Sequence, residues 1–576
     1  MSVPIKRSLR VPFTAFLLSV VFSTAVFSNL YVLSLGFIGD DYLILSDVQK
    51  RGVVWFGGWL ENSGLYRPLV ILSFWMNLWF SGTNPFGYHL TNLILHGLNG
   101  GILFLLLLRI SKHFGLQDDE KSAWGGRIIS FLLAVAFLFH PANVHNVAWI
   151  SGRTDLLCAF FFFLSLLFFE RYLTEGKHID KYVSLGFFAC SLASKETAVT
   201  LPLIAGGMMV GIELFGRNSG KPIARIIYDS AKRTIGYFVL LFVYAGFRLV
   251  VIDVKEPTLD WSTVGLRDLL VLAAKPFFLI LTPFSPMDAY ALLQGESPHL
   301  TLLTILLVCF LALLIVRLDS WKTMQGILFA ACMIFLSTLP FYATGIQTQR
   351  LMYLPIGIAI LAIVPVVLMI WKAIRIVLFA ACILLCGYVF LHATFWQQNS
   401  EGWKQASALE ADLVEQITSR LDNHETPILV LTYPQRVDQV LIFWALPFRL
   451  HYAVHKSFGR MENVTTGIFV VGSDFETLGK KVWYDLTGID SSVVTLGTSH
   501  PYEHLMVDQK GKDLHEGLPI FLYEGQMVSN ETLEATIRRL GGTTRPQEWE
   551  VRIKDQALFH NAQVFIFQDG EMKRIR

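Results

Sequence analysis

Long runs of apolar residues, separated by short polar stretches, recur along the chain as far as about residue 395. A helix needs about 20 mostly apolar residues to cross the hydrocarbon core of a bilayer. The runs that approach this length are 12–37, 89–110, 125–140, 154–170, 181–193, 197–215, 234–252, 298–316, 323–342, 351–371 and 375–395. The pattern therefore predicts a polytopic α-helical membrane protein with about 11 transmembrane helices.

Two further apolar segments are predicted not to cross the membrane. The run RPLVILSFWMNLWF is too short to span and favours an interfacial helix. The segment Arg267–Tyr290 contains Pro276, Pro283 and Pro286, which we expect to interrupt its helix. If it spanned, the basic residues of the later loops would lie on inconsistent sides, so we predict a re-entrant or interfacial helix.

The basic residues at the start of the chain set the predicted orientation. Lys6, Arg7 and Arg10 precede the first span, which places the N-terminus in the cytoplasm. The apolar run that follows is ~25 residues, longer than the core of a signal peptide, so we predict a retained first span. Alternation then keeps the basic loops inside and puts a large first loop, residues 38–88, on the outer side.

The sequence after the last span is polar and has a different periodicity. The stretches ILVLTY, GIFVVGS and AQVFIFQDG read as short strands, with helical stretches between them. We therefore predict a transmembrane domain over residues 1–396 and a small mixed α/β extracytoplasmic domain over 397–576. The second domain contains no glycine-rich phosphate loop and no convincing catalytic cluster.

Composition supports the membrane assignment and narrows the partners. The chain is 53% hydrophobic and 16% charged, whereas soluble domains carry about 25% charged residues. Its formal net charge of +2 gives no reason to expect nucleic acid as a partner. All six cysteines fall in apolar segments, so neither a disulfide framework nor a thiolate metal site is indicated.

Charged and histidine side chains collect on the predicted outer side, where their cost in lipid suggests a function. They are Asp40, Asp41, Arg67, His89, His96, His140, His145, Arg153, Asp155, Lys195, Glu196, Asp288 and Arg350. Such a set predicts a preformed polar cavity. The alternative is structural: Arg153 would pair with Asp155 and Lys195 with Glu196, and the histidines of the second span would hydrogen-bond neighbouring spans.

Acids and bases on one side of a membrane suit the transfer of a sugar from a lipid-linked phosphate. A carboxylate takes the proton from the acceptor hydroxyl as it attacks the anomeric carbon. Arginine and lysine neutralise the charge that builds on the departing phosphate. Asp40 and Asp41 are adjacent and point about 100° apart on a helix, so only one of them is expected to face the acceptor.

Several motifs in order carry a resemblance to a known family. They are DDY, YRPL, YHLTNLILHGLN, FLFHPANVHNVAWISGRTDLL, LASKETAVTLPL and QRLMYLP. Over residues 30–360 the chain resembles membrane glycosyltransferases of the GT-C fold. The match is nearest to the protein O-mannosyltransferase-like group with transmembrane and tetratricopeptide-repeat parts, and to its bacterial relatives. The repeats are missing here, and the C-terminal domain has no counterpart in the resemblance.

The resemblance implies an inverting transferase with a polyprenyl- or dolichyl-phosphate sugar donor and a hydroxyl acceptor on a protein, a lipid or a surface glycan. It places the site on the outer face of a prokaryotic cytoplasmic membrane. An acidic residue of the first outer loop would be the catalytic base, which favours Asp40, with Asp41 orienting nearby arginine or backbone groups; the reverse assignment stays open. The residues implied to hold the lipid phosphate are Lys195, Arg350, Arg67 and Arg153, and further site candidates are His89, His140 and Glu196.

One departure from the family bears on metals. After His140 and Pro141 the relatives continue with a second histidine and then a glutamate, whereas this chain has Asn143 and His145. The missing carboxylate weakens a metal-dependent mechanism, so we predict no cofactor; a divalent metal stays open as an alternative that these residues do not support.

Two other classes of function fit part of the pattern. A transporter or flippase for lipid-linked glycans would share the spans and the charges, but it predicts interrupted helices in matching halves, and the sequence has no such symmetry. A membrane scaffold that presents the C-terminal domain leaves the charges unexplained.

Overall fold

The computed structural model describes residues 10–52, 66–114, 120–216, 220–251, 266–281, 320–344, 349–373, 377–423, 425–434 and shorter stretches between 436 and 574. Its α-helices are Arg10–Ser28, Asp40–Arg51, Pro68–Ser81, Pro85–His113, Glu120–Leu138, Asn143–Ala148, Arg153–Glu175, His178–Leu192, Leu201–Phe215, Ile223–Val251, Leu266–Leu281, Ser320–Thr344, Tyr353–Ala373, Val377–Ser419 and Leu446–His455. Every predicted span within the described residues overlaps one of these helices.

Several helices are long and apolar enough to cross a membrane. Six are found in the part of the chain that the structure describes: Pro85–His113, Ile150–Glu175, Glu196–Phe215, Ile223–Val250, Met324–Tyr342 and Gln349–Val367. Shorter apolar helices are Phe13–Ser28, Pro68–Ser81 and Ala123–Leu138. This is the helix content of a polytopic membrane protein. The predicted span 298–316 lies outside the described residues, and the total of about 11 spans stays a prediction.

The two segments predicted to be interfacial are both helical where they are described. The run RPLVILSFWMNLWF forms the helix Pro68–Ser81. The helix Leu266–Leu281 continues through Pro276, so the prediction that this proline interrupts it is wrong. A proline removes one backbone hydrogen bond, and helices of membrane proteins tolerate this loss when neighbouring groups satisfy the freed carbonyl. Pro283, Pro286 and Asp288 lie outside the described residues.

The chain forms two compact units, and the first consists of Met1–Leu33, Trp55–Ser73 and Tyr88–Asn399. Its core is built on aromatic contacts. Phe137 meets the rings of Phe163 and Tyr353 edge-to-face at centroid distances of 6.0 and 5.1 Å. Gly357 lies against Phe163, and a Cβ there would come within 2.3 Å of that ring. Packing this close is what fixes the relative positions of helices in lipid.

His96 cross-links three helices of this core. Its Nδ1 lies 2.8 Å from the hydroxyl of Tyr353, and its Nε2 lies 3.3 Å from the carbonyl of Leu138. Asn99, one turn further along, donates to the same tyrosine hydroxyl at 3.2 Å. The structural alternative for His96, a hydrogen bond to neighbouring spans, is therefore confirmed.

The second unit consists of Ser34–Val54, Phe74–Gly87 and Ser400–Arg576. Its mixed sheet contains the three predicted strands, which are Ile428–Pro434, Val464–Val471 and Gln563–Gln568. The central strand Ile428–Pro434 runs parallel to both of the others. Glu571–Arg574 and His504–Met506 complete the two edges in antiparallel orientation.

A second sheet in this unit was not predicted. It is antiparallel, with the strand order Asp485–Asp490, Val493–Gly497, Arg545–Ile553, Leu533–Gly541 and Met527–Ser529. We expected helical stretches between the strands, and the helix Leu446–His455 is one. The expectation is wrong for the described stretches between Asp485 and Ile553, which form strands although sequences such as LEATIRRLG alternate only weakly between apolar and polar residues.

Candidate functional site

A buried ion pair joins the start of the Arg153–Glu175 helix to the segment before Leu201–Phe215. The Nζ of Lys195 lies 2.7 and 2.6 Å from the two carboxylate oxygens of Asp155. The two side chains are only 8% and 7% exposed. Burial lowers the pKa of Lys195, and the carboxylate of Asp155 offsets part of this effect.

A second, more exposed group of charges lies beside this pair. Arg67 donates to Glu196 Oε2 from Nη2 at 2.8 Å and from Nε at 3.2 Å. Arg248 approaches the other oxygen of Glu196 at 3.3 Å. Burial disfavours the charge of Arg67, but the carboxylate of Glu196 outweighs it and holds the pKa of Arg67 above its ordinary value. The side chains of Arg67, Glu196 and Arg248 are 13%, 22% and 25% exposed.

Five side chains form what we call the charge cluster: Arg67, Asp155, Lys195, Glu196 and Arg248. They comprise three cations and two carboxylates, and Arg67 is close enough to Lys195 to lower the pKa of that lysine further. The structure thus brings together three predicted site residues, Arg67, Lys195 and Glu196.

The predicted structural pairs are wrong. Asp155 pairs with Lys195, and Glu196 pairs with Arg67 and Arg248, so each acid has partners from a distant part of the chain. Residues two apart on a helix point about 200° apart, and adjacent residues also diverge. Arg248 was missed because it falls in the predicted span 234–252, although a charge in a span is itself a functional signal.

Arg153 forms buried hydrogen bonds to other segments of the first unit. It is fully buried, and its guanidinium donates to Asn92 Oδ1 at 2.9 Å and to the carbonyls of Tyr88 and Ser73 at 2.7 and 3.4 Å. His89 is also buried, 1% exposed, on the same helix as Asn92. Protein acceptors thus surround the Arg153 guanidinium, an arrangement that serves packing better than phosphate binding.

Arg350 is half-buried and stacks on an aromatic ring. Its guanidinium carbon lies 5.2 Å from the centroid of the Trp149 ring, and its carbonyl accepts a hydrogen bond from Asn146 at 2.7 Å. Gln349, the residue before Arg350, has its side-chain oxygen 3.2 Å from His145 Nε2. Burial lowers the pKa of His145 to about 4; the bond to Gln349 opposes this shift, and the charge of Arg350 adds to it.

His140 has protein partners at both ring nitrogens. Its Nδ1 accepts a hydrogen bond from the backbone N–H of Ala142 at 3.3 Å, and its Nε2 lies 3.1 Å from the carbonyl of Ile280. These partners fit a neutral ring that carries its proton on Nε2. In the described residues no group of three or more histidine, cysteine, aspartate or glutamate side chains is placed to hold a metal ion.

Asp40 and Asp41 belong to the second unit, where they form the first turn of the Asp40–Arg51 helix. Gly39 precedes them with φ 57° and ψ −119°, a conformation open to glycine. Asp41 is 1% exposed, and its Oδ2 accepts a hydrogen bond from the N–H of Ile38 at 3.0 Å. Asp40 is half-buried. The difference suits the predicted roles, an accessible base and a carboxylate that orients the backbone, and both roles stay predictions.

Sequence comparison supplies an independent observation. Human protein O-mannosyl-transferase TMTC4 is 38% identical over 150 residues, which are 24% of this chain and 19% of that protein. Mouse protein O-mannosyl-transferase TMTC2 is 30% identical over 267 residues, 42% of this chain and 30% of that protein. Human protein O-mannosyl-transferase TMTC1 is 31% identical over 159 residues, 26% of this chain and 17% of that protein.

Over part of its length the chain is similar to protein O-mannosyl-transferases. The prediction of a resemblance to an O-mannosyltransferase-like group is confirmed to that extent. The matches span less than a third of the length of each of these relatives. No protein family profile matches the chain.

Proposed function

We propose that the chain is an inverting membrane glycosyltransferase that moves a sugar from a polyprenyl-phosphate donor to a hydroxyl group of a protein. The observation that carries this proposal is the charge cluster, which holds three cations in a membrane protein similar to protein O-mannosyl-transferases. A donor anchored in lipid explains why the reaction takes place in a membrane.

The exposed edge of the charge cluster is the proposed phosphate site. Arg67 and Arg248 share the single carboxylate of Glu196, and all three side chains are partly accessible. Two guanidinium groups can neutralise the charge that grows on the phosphate as the sugar leaves. Lys195 lies deeper and pairs with Asp155, so its proposed contribution is the local positive potential and the position of the neighbouring segment. Arg350 remains a candidate for the same phosphate.

The chemistry requires one base and no redox step. The acceptor oxygen attacks the anomeric carbon, the bond from that carbon to the phosphate oxygen breaks, and polyprenyl phosphate leaves with the electron pair. A carboxylate takes the hydroxyl proton during the attack. By the position of its motif, Asp40 is the proposed base, and attack opposite to the leaving phosphate inverts the anomeric configuration.

The proposed setting is the outer face of a cytoplasmic membrane, with the N-terminus inside and residues 397–576 outside. A lipid or surface glycan would present the same hydroxyl chemistry as a protein acceptor. The names of the similar proteins make mannose the first sugar to try.

The test is transfer by the purified full chain in proteoliposomes. Tritiated mannose is supplied either as polyprenyl-phosphate mannose or as a nucleotide sugar, together with peptides rich in serine and threonine. The proposal predicts labelled peptide and free polyprenyl phosphate from the lipid donor only. Movement of the intact labelled lipid across the bilayer, with no sugar released, would instead identify a flippase.

A further inference from the structure

A buried charged and aromatic cluster surrounds the first turn of the Asp40–Arg51 helix within the second unit. Tyr42, which follows the two aspartates, is 2% exposed. The guanidinium of Arg449 lies 5.0 Å from the centroid of its ring, within the range of a cation–π contact. Glu410, 1% exposed, faces the same arginine, with Oε1 at 3.9 Å from Nε.

Aromatic rings continue the cluster on both sides of Tyr42. Tyr452 lies 5.3 Å from the Tyr42 ring, and Phe37 lies 5.8 Å from it. Phe458 stacks on Tyr452 at 5.3 Å and meets Phe37 edge-to-face at the same distance. The side chains that enclose the turn therefore come mainly from the helix Leu446–His455 and the residues just after it.

Two hydrogen bonds hold the ends of the same stretch. The backbone N–H of Gly36 donates to Ser407 Oγ at 3.0 Å, and the N–H of Phe458 donates to Gln49 Oε1 at 3.2 Å. The partners lie 371 and 409 residues apart in sequence. Ser407 and Phe458 thus hold the two ends of the stretch that carries Asp40 and Asp41, and Arg449 and Tyr452 contact its centre.

We propose that Arg449 and Glu410 are positioning residues for the transfer reaction: through the ring of Tyr42 they fix the first turn of the Asp40–Arg51 helix and so the direction of the Asp40 carboxylate. The C-terminal region then contributes to catalysis by positioning Asp40, and its role is not limited to binding the acceptor. This inference rests on the proposed function only for its catalytic consequence; the support of the turn by Arg449 is measurable by itself.

The electrostatics of the cluster explain why an arginine is needed. A buried tyrosine ring presents its negative face to a cation, and the flat guanidinium of Arg449 also approaches the Tyr452 ring, at 5.9 Å. Glu410 balances the charge of the arginine where water is scarce. Burial raises the pKa of the Tyr42 hydroxyl well above its ordinary value, so the tyrosine acts as a neutral ring.

The experiment compares Arg449→Met with Arg460→Met in the full chain. Arg460 is a matched control because it also lies over an aromatic ring, that of Phe448 at 5.9 Å, but is exposed. For Arg449→Met we expect backbone amides of residues 38–45 to exchange about tenfold faster, with the transmembrane helices unchanged. We also expect kcat to fall about tenfold while the donor KM stays within about twofold. Arg449→Lys, which keeps the charge, should recover part of both.

Each other outcome has a defined meaning. Unchanged exchange at residues 38–45 overturns the inference, and so does faster exchange with normal kcat or a uniform change over the whole chain. If the wild-type chain transfers no sugar, the proposed function fails and the exchange measurement alone decides whether Arg449 fixes the turn. If Arg449→Met does not fold, the isosteric Glu410→Gln is measured in the same way, with a smaller change in the same direction expected.

Discussion

Lys195 and Asp155, 40 residues apart in sequence, form an ion pair in which the ammonium nitrogen lies 2.7 and 2.6 Å from the two carboxylate oxygens. Both side chains are more than nine-tenths buried. A charge in such a place is costly without its partner. The pair therefore anchors the segment that carries Glu196, and through Glu196 it sets the position of both arginines of the charge cluster.

Removing one member of this pair should be strongly destabilising. Lys195→Met leaves the Asp155 carboxylate buried without its cation, and we expect a loss of about 3 to 5 kcal/mol in the free energy of unfolding. Thermal unfolding in detergent measures the effect. The control is Lys177→Met, because Lys177 is 60% exposed and pairs with Glu175 at the surface. Equal shifts in melting temperature for the two variants would contradict the anchoring role.

Arg248→Gln tests the exposed edge of the charge cluster. If Arg248 contacts the donor phosphate, the loss of one charge-assisted hydrogen bond should raise the donor KM about 10- to 100-fold. The melting temperature should change little, because Arg67 still holds Glu196. Arg225→Gln is the matched control on the same helix, since that side chain is 64% exposed. A normal KM for Arg248→Gln would remove this residue from the phosphate site.

The stability of the first unit should depend on pH through His145. Its pKa is about 4 in the folded protein, against an ordinary value of 6.5. Between these values the unfolded chain binds more protons, so the free energy of unfolding rises with pH across this window and levels off above it. Melting temperatures measured from pH 4.5 to 7.5 should show this rise, and His145→Gln should make it less steep. An unchanged slope in the variant would argue against a buried neutral ring.

Arg153→Lys should fail as a conservative replacement. The guanidinium reaches three acceptors, on Asn92, Tyr88 and Ser73, and a single ammonium cannot match this fork. We expect a loss of about 2 to 3 kcal/mol in the free energy of unfolding, with no selective effect on donor KM. Melting curves and donor titrations measure the two quantities. A normal melting temperature with a raised donor KM would instead indicate that Arg153 binds the donor phosphate.

Periodicity and length were sufficient to predict most described helices and three strands of the mixed sheet. The run ILVLTY is short and rich in β-branched and aromatic residues, which favours a buried strand, and it forms the strand Ile428–Pro434. The rule that proline interrupts a helix fails at Pro276. This proline removes one backbone hydrogen bond, and the helix Leu266–Leu281 continues through it. The second sheet carries no strong alternation; three of its four strand pairings join neighbours in sequence, and one joins the distant strands Val493–Gly497 and Arg545–Ile553.

The site was predictable in composition but not in its pairings. The motifs named Arg67, Lys195 and Glu196, and the structure brings these three together. Which acid meets which base depends on how helices distant in sequence pack, and adjacency in the chain indicated the wrong partners. Arg449 carries no sequence signal for a role beside Asp40 and Asp41, because its place over Tyr42 arises only in the folded second unit.

The most direct measurement is the turnover of Asp40→Asn with polyprenyl-phosphate mannose and a peptide acceptor. Asp47→Asn, seven residues further along the same helix, is the control, and Asp41→Asn is assayed beside them. A lost general base should lower kcat about 10²- to 10⁴-fold. We expect this fall for Asp40→Asn, an intermediate loss for Asp41→Asn and near-normal kcat for Asp47→Asn. Full turnover by Asp40→Asn would contradict it.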